Sequence, residues 1–256
     1  MSSIYHHLEH HNDIRLQVRT FESGEREVLV QRTDTWLNQE TKVRVAPRVK
    51  TEEEKVAAAI DNQGRAARRA CATVRLRVKA IQADRMLTLT YRENMQDRER
   101  LARDWDAFRR RLRKIQGFEY VATVERQARG AYHMHVAVSG RQNYRVLRAV
   151  WLSVVGEGGG NIDVRNPFKE RALRHKLAGY LSKYVSKAYD QGEKDERRVW
   201  ASRGIEIPEK VTTWFRDVEV SEVLGVAGQY LQTDGELVYW HSRKSETFFF
   251  AVTYRC

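Results

Sequence analysis

The chain of 256 residues is long enough for one good hydrophobic core, or for one core with appendages. Its net charge of +12 and pI near 9.8 call for a polyanionic partner. Only two cysteines, Cys71 and Cys256, are present, which excludes a disulfide framework and a thiolate zinc site, and no run of 18 apolar residues or signal-peptide core occurs. A cytoplasmic protein without a membrane partner is expected.

No internal repeat is present. In chain order, the opening histidines His6, His7, His10 and His11 read as an exposed polar helix. Ile14 to Thr20 and Glu27 to Arg32 read as a hairpin, and Val56 to Ile60 as a short alanine helix ended by the breaker Asp61-Asn-Gln-Gly64. Val74, Leu76 and Val78 alternate with Arg75, Arg77 and Lys79, the pattern of a half-buried strand with one basic face. Met86 to Thr90 is a second strand. Asp97 to Ile115 is a helix, because Leu101, Trp105, Phe108, Leu112 and Ile115 recur at helical spacing.

Phe118 to Arg126 and Tyr132 to Val138 form a hairpin around Arg129-Gly130. A helix from Tyr144 to Val155, a glycine loop, a short strand Asn161 to Arg165 and a helix after Pro167 follow. The glycine loop lacks the Lys-Ser/Thr ending of a phosphate-binding loop, so no nucleotide cofactor is expected. The order β-β-α-β-β-α-β-α predicts an α+β fold, a central antiparallel sheet with flanking helices. The stretches Leu237 to Trp240 and Phe248 to Val252 read as strands of a β-rich tail. The expected division is an N-terminal extension 1–64, a core domain 65–190 and a C-terminal extension 191–256.

Charge follows the same division. Residues 65–188 hold 28 Lys/Arg against 11 Asp/Glu, whereas the two flanks together are net negative by five. Arg75, Arg77 and Lys79 are candidate phosphate contacts, as are Arg68, Arg69 and the cluster from Arg109 to Lys114.

The chemistry lies in two segments of that basic stretch. In His133-Met-His135 both imidazoles leave one face of the strand, where they can hold one cation. A turn centred near Arg129 sets Glu125 opposite His133, adding a carboxylate. Such mixed nitrogen and oxygen ligation suits Mg²⁺ or Mn²⁺ and leaves positions open for phosphate oxygens. Tyr180, Lys183, Tyr184 and Lys187 fall in one helical stripe, and Leu177, Leu181, Val185 and Ala188 form a separate apolar one. A phenol of pKa near 10 needs cations to act as a nucleophile, and Lys183 and Lys187 each lie within a turn of one.

These two segments resemble the second and third motifs of the HUH endonucleases, and Tyr-x-x-Lys-Tyr-x-x-Lys is similar to the two-tyrosine replication initiators of the bacteriophage gene A type. Met86-Leu-Thr-Leu-Thr90 resembles the first motif, so the resemblance spans about residues 72–188. It implies a metal-dependent single-strand endonuclease and strand transferase that starts rolling-circle replication through a 5′-phosphotyrosyl link. Tyr180 or Tyr184 would attack, with Lys183 and Lys187 assisting, and His133, His135 and Glu125 would hold the metal. Thr88, Thr90 and Arg129, with Arg75, Arg77 and Lys79, would contact single-stranded DNA at an origin, in a bacterial cytoplasm that supplies helicase and polymerase. A transposase or conjugative relaxase shares this site. A non-catalytic binder would instead stack bases on Tyr120, Tyr132 or Trp240.

Overall fold

The computed structural model describes residues 9–37, 49–115, 117–156, 159–165, 174–191, 196–241 and 248–254. The chain divides into two compact units, one of residues 51–207 and one combining 1–50 with 208–256. The fold is α+β as expected, with two antiparallel five-stranded sheets and flanking helices.

The unit formed by both chain ends contains β1 (Glu9–Thr20), β2 (Arg26–Leu37), β8 (Lys210–Arg216), α5 (Val220–Tyr230), β9 (Glu236–His241) and β10 (Phe248–Tyr254). Its sheet order is β8-β1-β2-β10-β9. The anticipated hairpin is β1–β2, and Ile14, Leu16, Val18, Val28 and Val30 bury one face against Val223 and Ala227 of α5. The N-terminal histidine helix is not found: His10 and His11 belong to β1, paired with Trp36 and Thr35, because the hairpin ladder runs back through them. His6 and His7 lie outside the described residues.

The other unit runs α1 (Glu52–Ala80), β3 (Arg85–Tyr91), α2 (Arg98–Ile115), β4 (Tyr120–Arg126), β5 (Tyr132–Val138), α3 (Tyr144–Val155), β6 (Gly160–Arg165), α4 (Arg174–Gln191) and β7 (Val199–Ala201). Its strand order is β6-β3-β5-β4-β7. Alternation divides the sheet's side chains between two layers. Leu87, Leu89, Tyr120, Ala122, Val124, Met134 and Val136 pack under α2 and α3, whose Leu101, Trp105, Phe108, Leu112, Leu147 and Trp151 are buried with them. Met86, Val121 and Ala137 point the other way, against Val74 and Val78 of α1 and Leu177, Leu181 and Val185 of α4.

The expected strand at residues 74–79 is instead the C-terminal part of α1. Five alternating residues fit either period, and Val74 and Val78 are also i and i+4, so a helix buries both at 0 % and 2 % exposure. The helix starts at a capping box in which Thr51 and Glu54 bond each other's backbone N–H, with Glu52, Glu53 and Glu54 in its first turn. Gly64 does not break it. An interior glycine costs about 1 kcal/mol relative to alanine, which 29 helical residues docked on α4 offset. Cys71 and Ser182 exchange side-chain-to-carbonyl hydrogen bonds at 3.4 Å, and Gln63 donates to the Tyr189 carbonyl.

The expected boundaries at 64/65 and 190/191 therefore differ from those of the compact units. α1 carries the central unit back to Thr51, β7 carries it on to Ile207, and the two supposed extensions share one sheet. The residues expected to begin the last helix after Pro167, and those at 192–195, lie outside the described set, and α4 is described from Arg174.

Candidate active site

The β4–β5 hairpin builds the floor of the site. Gln127 N–H bonds the Ala131 carbonyl and Gly130 N–H bonds the Gln127 carbonyl, with Gly130 at φ +90°, a conformation glycine adopts without strain. That turn sets the register expected from the sequence, Glu125 opposite His133. The next pair on this face is Thr123 with His135, and His135 is flanked on its other side by Thr88 of β3, which in turn faces Asp163 of β6.

α4 lies across this face. Leu177, Leu181, Val185 and Ala188 are buried, in keeping with their apolar stripe, and Tyr184 beside them is 9 % exposed. The Tyr184 ring lies flat on the imidazole of His135, with centroids 3.9 Å apart and planes 19° apart. Its hydroxyl donates to the hydroxyl oxygen of Tyr180 at 2.7 Å, and Tyr180 is 37 % exposed at the mouth of the site.

Beneath the tyrosines, Glu125 is held twice. One carboxylate oxygen is 2.8 Å from His135 Nε2 and the other accepts from Lys187 Nζ at 3.0 Å. Burial pushes the Glu125 carboxyl up, but the bonds from His135 and Lys187 outweigh it and hold the group at about 2. Burial, then the neighbouring His135, push the His133 imidazole below its ordinary value. The Tyr184 phenol is raised by burial, by its bond to Tyr180 and by the charge of Glu125, so at neutral pH it keeps its proton and acts as the donor.

His133, His135 and Glu125 are the side chains here that could hold a metal. Among the described residues no three His, Cys, Asp or Glu side chains form a preformed metal group, since Glu125 and His135 bond each other. The donor set nevertheless fits a hard divalent cation in kind, and one donor is waiting: His133 Nε2 is buried with no hydrogen-bond partner. Thr88 Oγ1 lies 3.3 Å from His135 Nδ1, where it orients the ring and frees Nε2 for the carboxylate or a cation.

Several expected contributors sit elsewhere. Lys183 is exposed on the outer side of α4, and Lys187 bonds Glu125 with its ammonium 5.7 Å from the Tyr184 ring centroid, so the two lysines do not each serve one phenol. Arg75, Arg77 and Lys79 project in different directions from α1 rather than from one strand face. Lys79 is 8 % exposed, which removes it as an open phosphate contact. Thr90 Oγ1 bonds the Asn161 carbonyl. Arg129 is exposed at the hairpin tip beside His133, placed for a strand entering the site. Tyr120 is 6 % exposed and packed edge-on to Trp105, so it offers no surface to a base.

Two contributions go beyond the sequence expectations. Arg198 donates through Nε to the Ala188 carbonyl and lies over the Tyr189 ring, fastening the end of α4 to the strand β7. Its position in a charged run carries no signal of that role. Thr88, expected as a DNA contact, supports His135 instead, a role that depends on the β3–β5 register. Asp163, a further carboxylate on this face, is paired with Arg165.

No helix among the described residues is long and apolar enough to cross a membrane. No curated protein and no solved structure matches the chain. Residues 84–189 do match a family model, and that segment, which holds every side chain of the cluster from Thr88 to Lys187, belongs to the family of replication-associated proteins of the ORF2 type.

Proposed function

We propose that this protein is a replication initiator that nicks single-stranded DNA at an origin and joins it again through a tyrosine. The observation that carries the reading is the stack of Tyr184 on His135, with Tyr180 hydrogen-bonded at the open end and Glu125 and His133 beneath. The family match adds a role in replication.

In this reading Tyr180 attacks first, because it is the exposed phenol and its oxygen already accepts a hydrogen bond from Tyr184. That bond strengthens as Tyr180 loses its proton, since a donor favours the charged form of its acceptor. The phenolate oxygen bonds to phosphorus, the P–O3′ bond breaks, and the departing oxygen takes up a proton to leave a free 3′-OH and a 5′-phosphotyrosyl link. Tyr184 then serves at the second cleavage. His133, His135 and Glu125 would hold Mg²⁺ or Mn²⁺, which when bound polarises the scissile phosphate. Lys187 keeps Glu125 ionised, Thr88 holds the His135 ring, and Arg129 draws in the strand. The free 3′-OH would be extended by host polymerase behind a host helicase.

The test is incubation of mixed-sequence single-stranded DNA with the protein and Mn²⁺, followed by denaturing electrophoresis and mass spectrometry of the protein. The expected product is a covalent adduct on Tyr180 or Tyr184, and intact DNA after prolonged incubation would overturn the reading.

A further inference from the structure

The sheet's far face carries a second concentration of cations that the nicking chemistry does not use. Arg109, Arg110 and Arg113 of α2 meet Arg197 and Arg203, on either side of β7, around a depression of about 700 Å³. Glu119 is the one carboxylate among the described residues lining it. Asp106 engages Arg109 at 2.7 Å, whereas Arg110 and Arg197 direct their Nε groups to backbone carbonyls and keep their terminal amines for another acceptor. Arg113 and Arg203 are exposed. Five guanidinium groups converging on a concave surface repel one another, and an anion in the depression offsets that cost.

The rest of the lining says which part of an anion is read. Phe118 and Tyr120 lie under the depression, but they are 8 % and 6 % exposed and stack on each other with centroids 5.5 Å apart. They present no open ring to a base. The site therefore offers charge and forked N–H donors without a stacking platform, which suits phosphates. It is also remote from the tyrosines: Tyr120 and Glu125 point to opposite faces of β4, separated along the strand by roughly 17 Å at ~3.3 Å per residue.

We propose that this arginine pocket grips the phosphodiester backbone of DNA several nucleotides from the scissile phosphate, independently of sequence. The choice of DNA as the ligand rests on the nicking reading.

The test compares wild-type protein with Arg110→Ala/Arg113→Ala/Arg203→Ala and with the corresponding triple Lys variant. Binding of a single-stranded oligonucleotide of roughly 40 nucleotides is measured over a salt series, and nicking is measured at saturating DNA. Three lost contacts should lower the magnitude of the log–log salt slope by about 2 in the Ala variant, while nicking at saturation stays at the wild-type rate and the Lys variant keeps the wild-type slope. An unchanged slope in the Ala variant overturns the pocket and leaves the nicking reading intact. If the Lys variant loses as much as the Ala variant, the loss comes from damage to the fold and the proposal falls. Wild-type protein that fails to nick while the slope still drops overturns the nicking reading alone. Inorganic tripolyphosphate is a separate probe: binding tighter than the oligonucleotide would reassign the pocket to a free polyphosphate and overturn the assignment to DNA.

Discussion

Tyr184 and His135 are stacked face to face, 3.9 Å between centroids, although one belongs to α4 and the other to β5. The contact fixes the phenol over the imidazole, so moving either ring moves the other. His135→Ala should therefore cost more than a metal ligand. We expect it to abolish Mn²⁺-dependent nicking and also to raise the side-chain mobility of Tyr184, read as a change in its ring resonances by NMR. A His135→Ala protein with wild-type nicking would remove the imidazole from the mechanism.

The orphaned His133 Nε2 makes a separate claim. His133→Ala removes an unpartnered buried polar atom, so the metal-free protein should lose little stability. The stabilisation that Mn²⁺ adds to the melting temperature of the wild type should disappear. Equal Mn²⁺ shifts in the two proteins would show that His133 holds no metal.

Thr88→Val keeps the shape of the side chain and deletes the hydroxyl beside His135 Nδ1. Loss of such a supporting hydrogen bond typically lowers metal affinity by about 10–100-fold. Titration of Mn²⁺ against nicking rate should show a rightward shift of that order, with the maximal rate largely recovered at saturation. An unshifted curve would return Thr88 to the role of an ordinary strand residue.

Much of this site is legible in the sequence because its geometry is local. The hairpin turn at Gly130 sets the Glu125–His133 pairing, and both follow from alternation and a glycine within a few residues. The apolar stripe of α4 likewise leaves one helical face for the tyrosines. What escapes a reading of the sequence depends on long-range pairing. Thr88 meets His135 across 47 residues, and β1 finds β8 through pairs such as Asp13 with Arg216, so neither contact leaves a pattern in its own segment. The helix at residues 74–79, where a strand is expected, has another cause: five residues are too few to separate a period of two from one of 3.6 when i and i+4 are both apolar.

Gly64 tests that correction directly. It lies within α1, has no positive φ, and an added Cβ would meet only Arg68 at 3.6 Å. Gly64→Ala should then stabilise the protein by about 1 kcal/mol, raising the melting temperature by roughly 2–4 °C for a domain of this size. A breaker at this position would give the opposite sign, so destabilisation by alanine would argue for a turn.

The sharpest prediction concerns the inequality of the two tyrosines. Tyr180 is at the surface and accepts the hydrogen bond, whereas Tyr184 is buried, raised in pKa and donates it. Phe at either position keeps the ring and removes only the hydroxyl. Tyr180→Phe should eliminate the first covalent adduct, because the buried phenol then has to attack without a donor beside it. Tyr184→Phe should still form that adduct on Tyr180, but more slowly: a hydrogen bond to a charged acceptor is worth about 1.5–3 kcal/mol, which corresponds to a slowing of roughly 10–100-fold. Rejoining on a circular template should need both hydroxyls, and the double Phe variant should form no adduct. Single-turnover kinetics with mass spectrometric location of the link separates these cases. Equal rates in the two single variants, or an adduct on Tyr184 that forms first in the wild type, would reverse the assigned order.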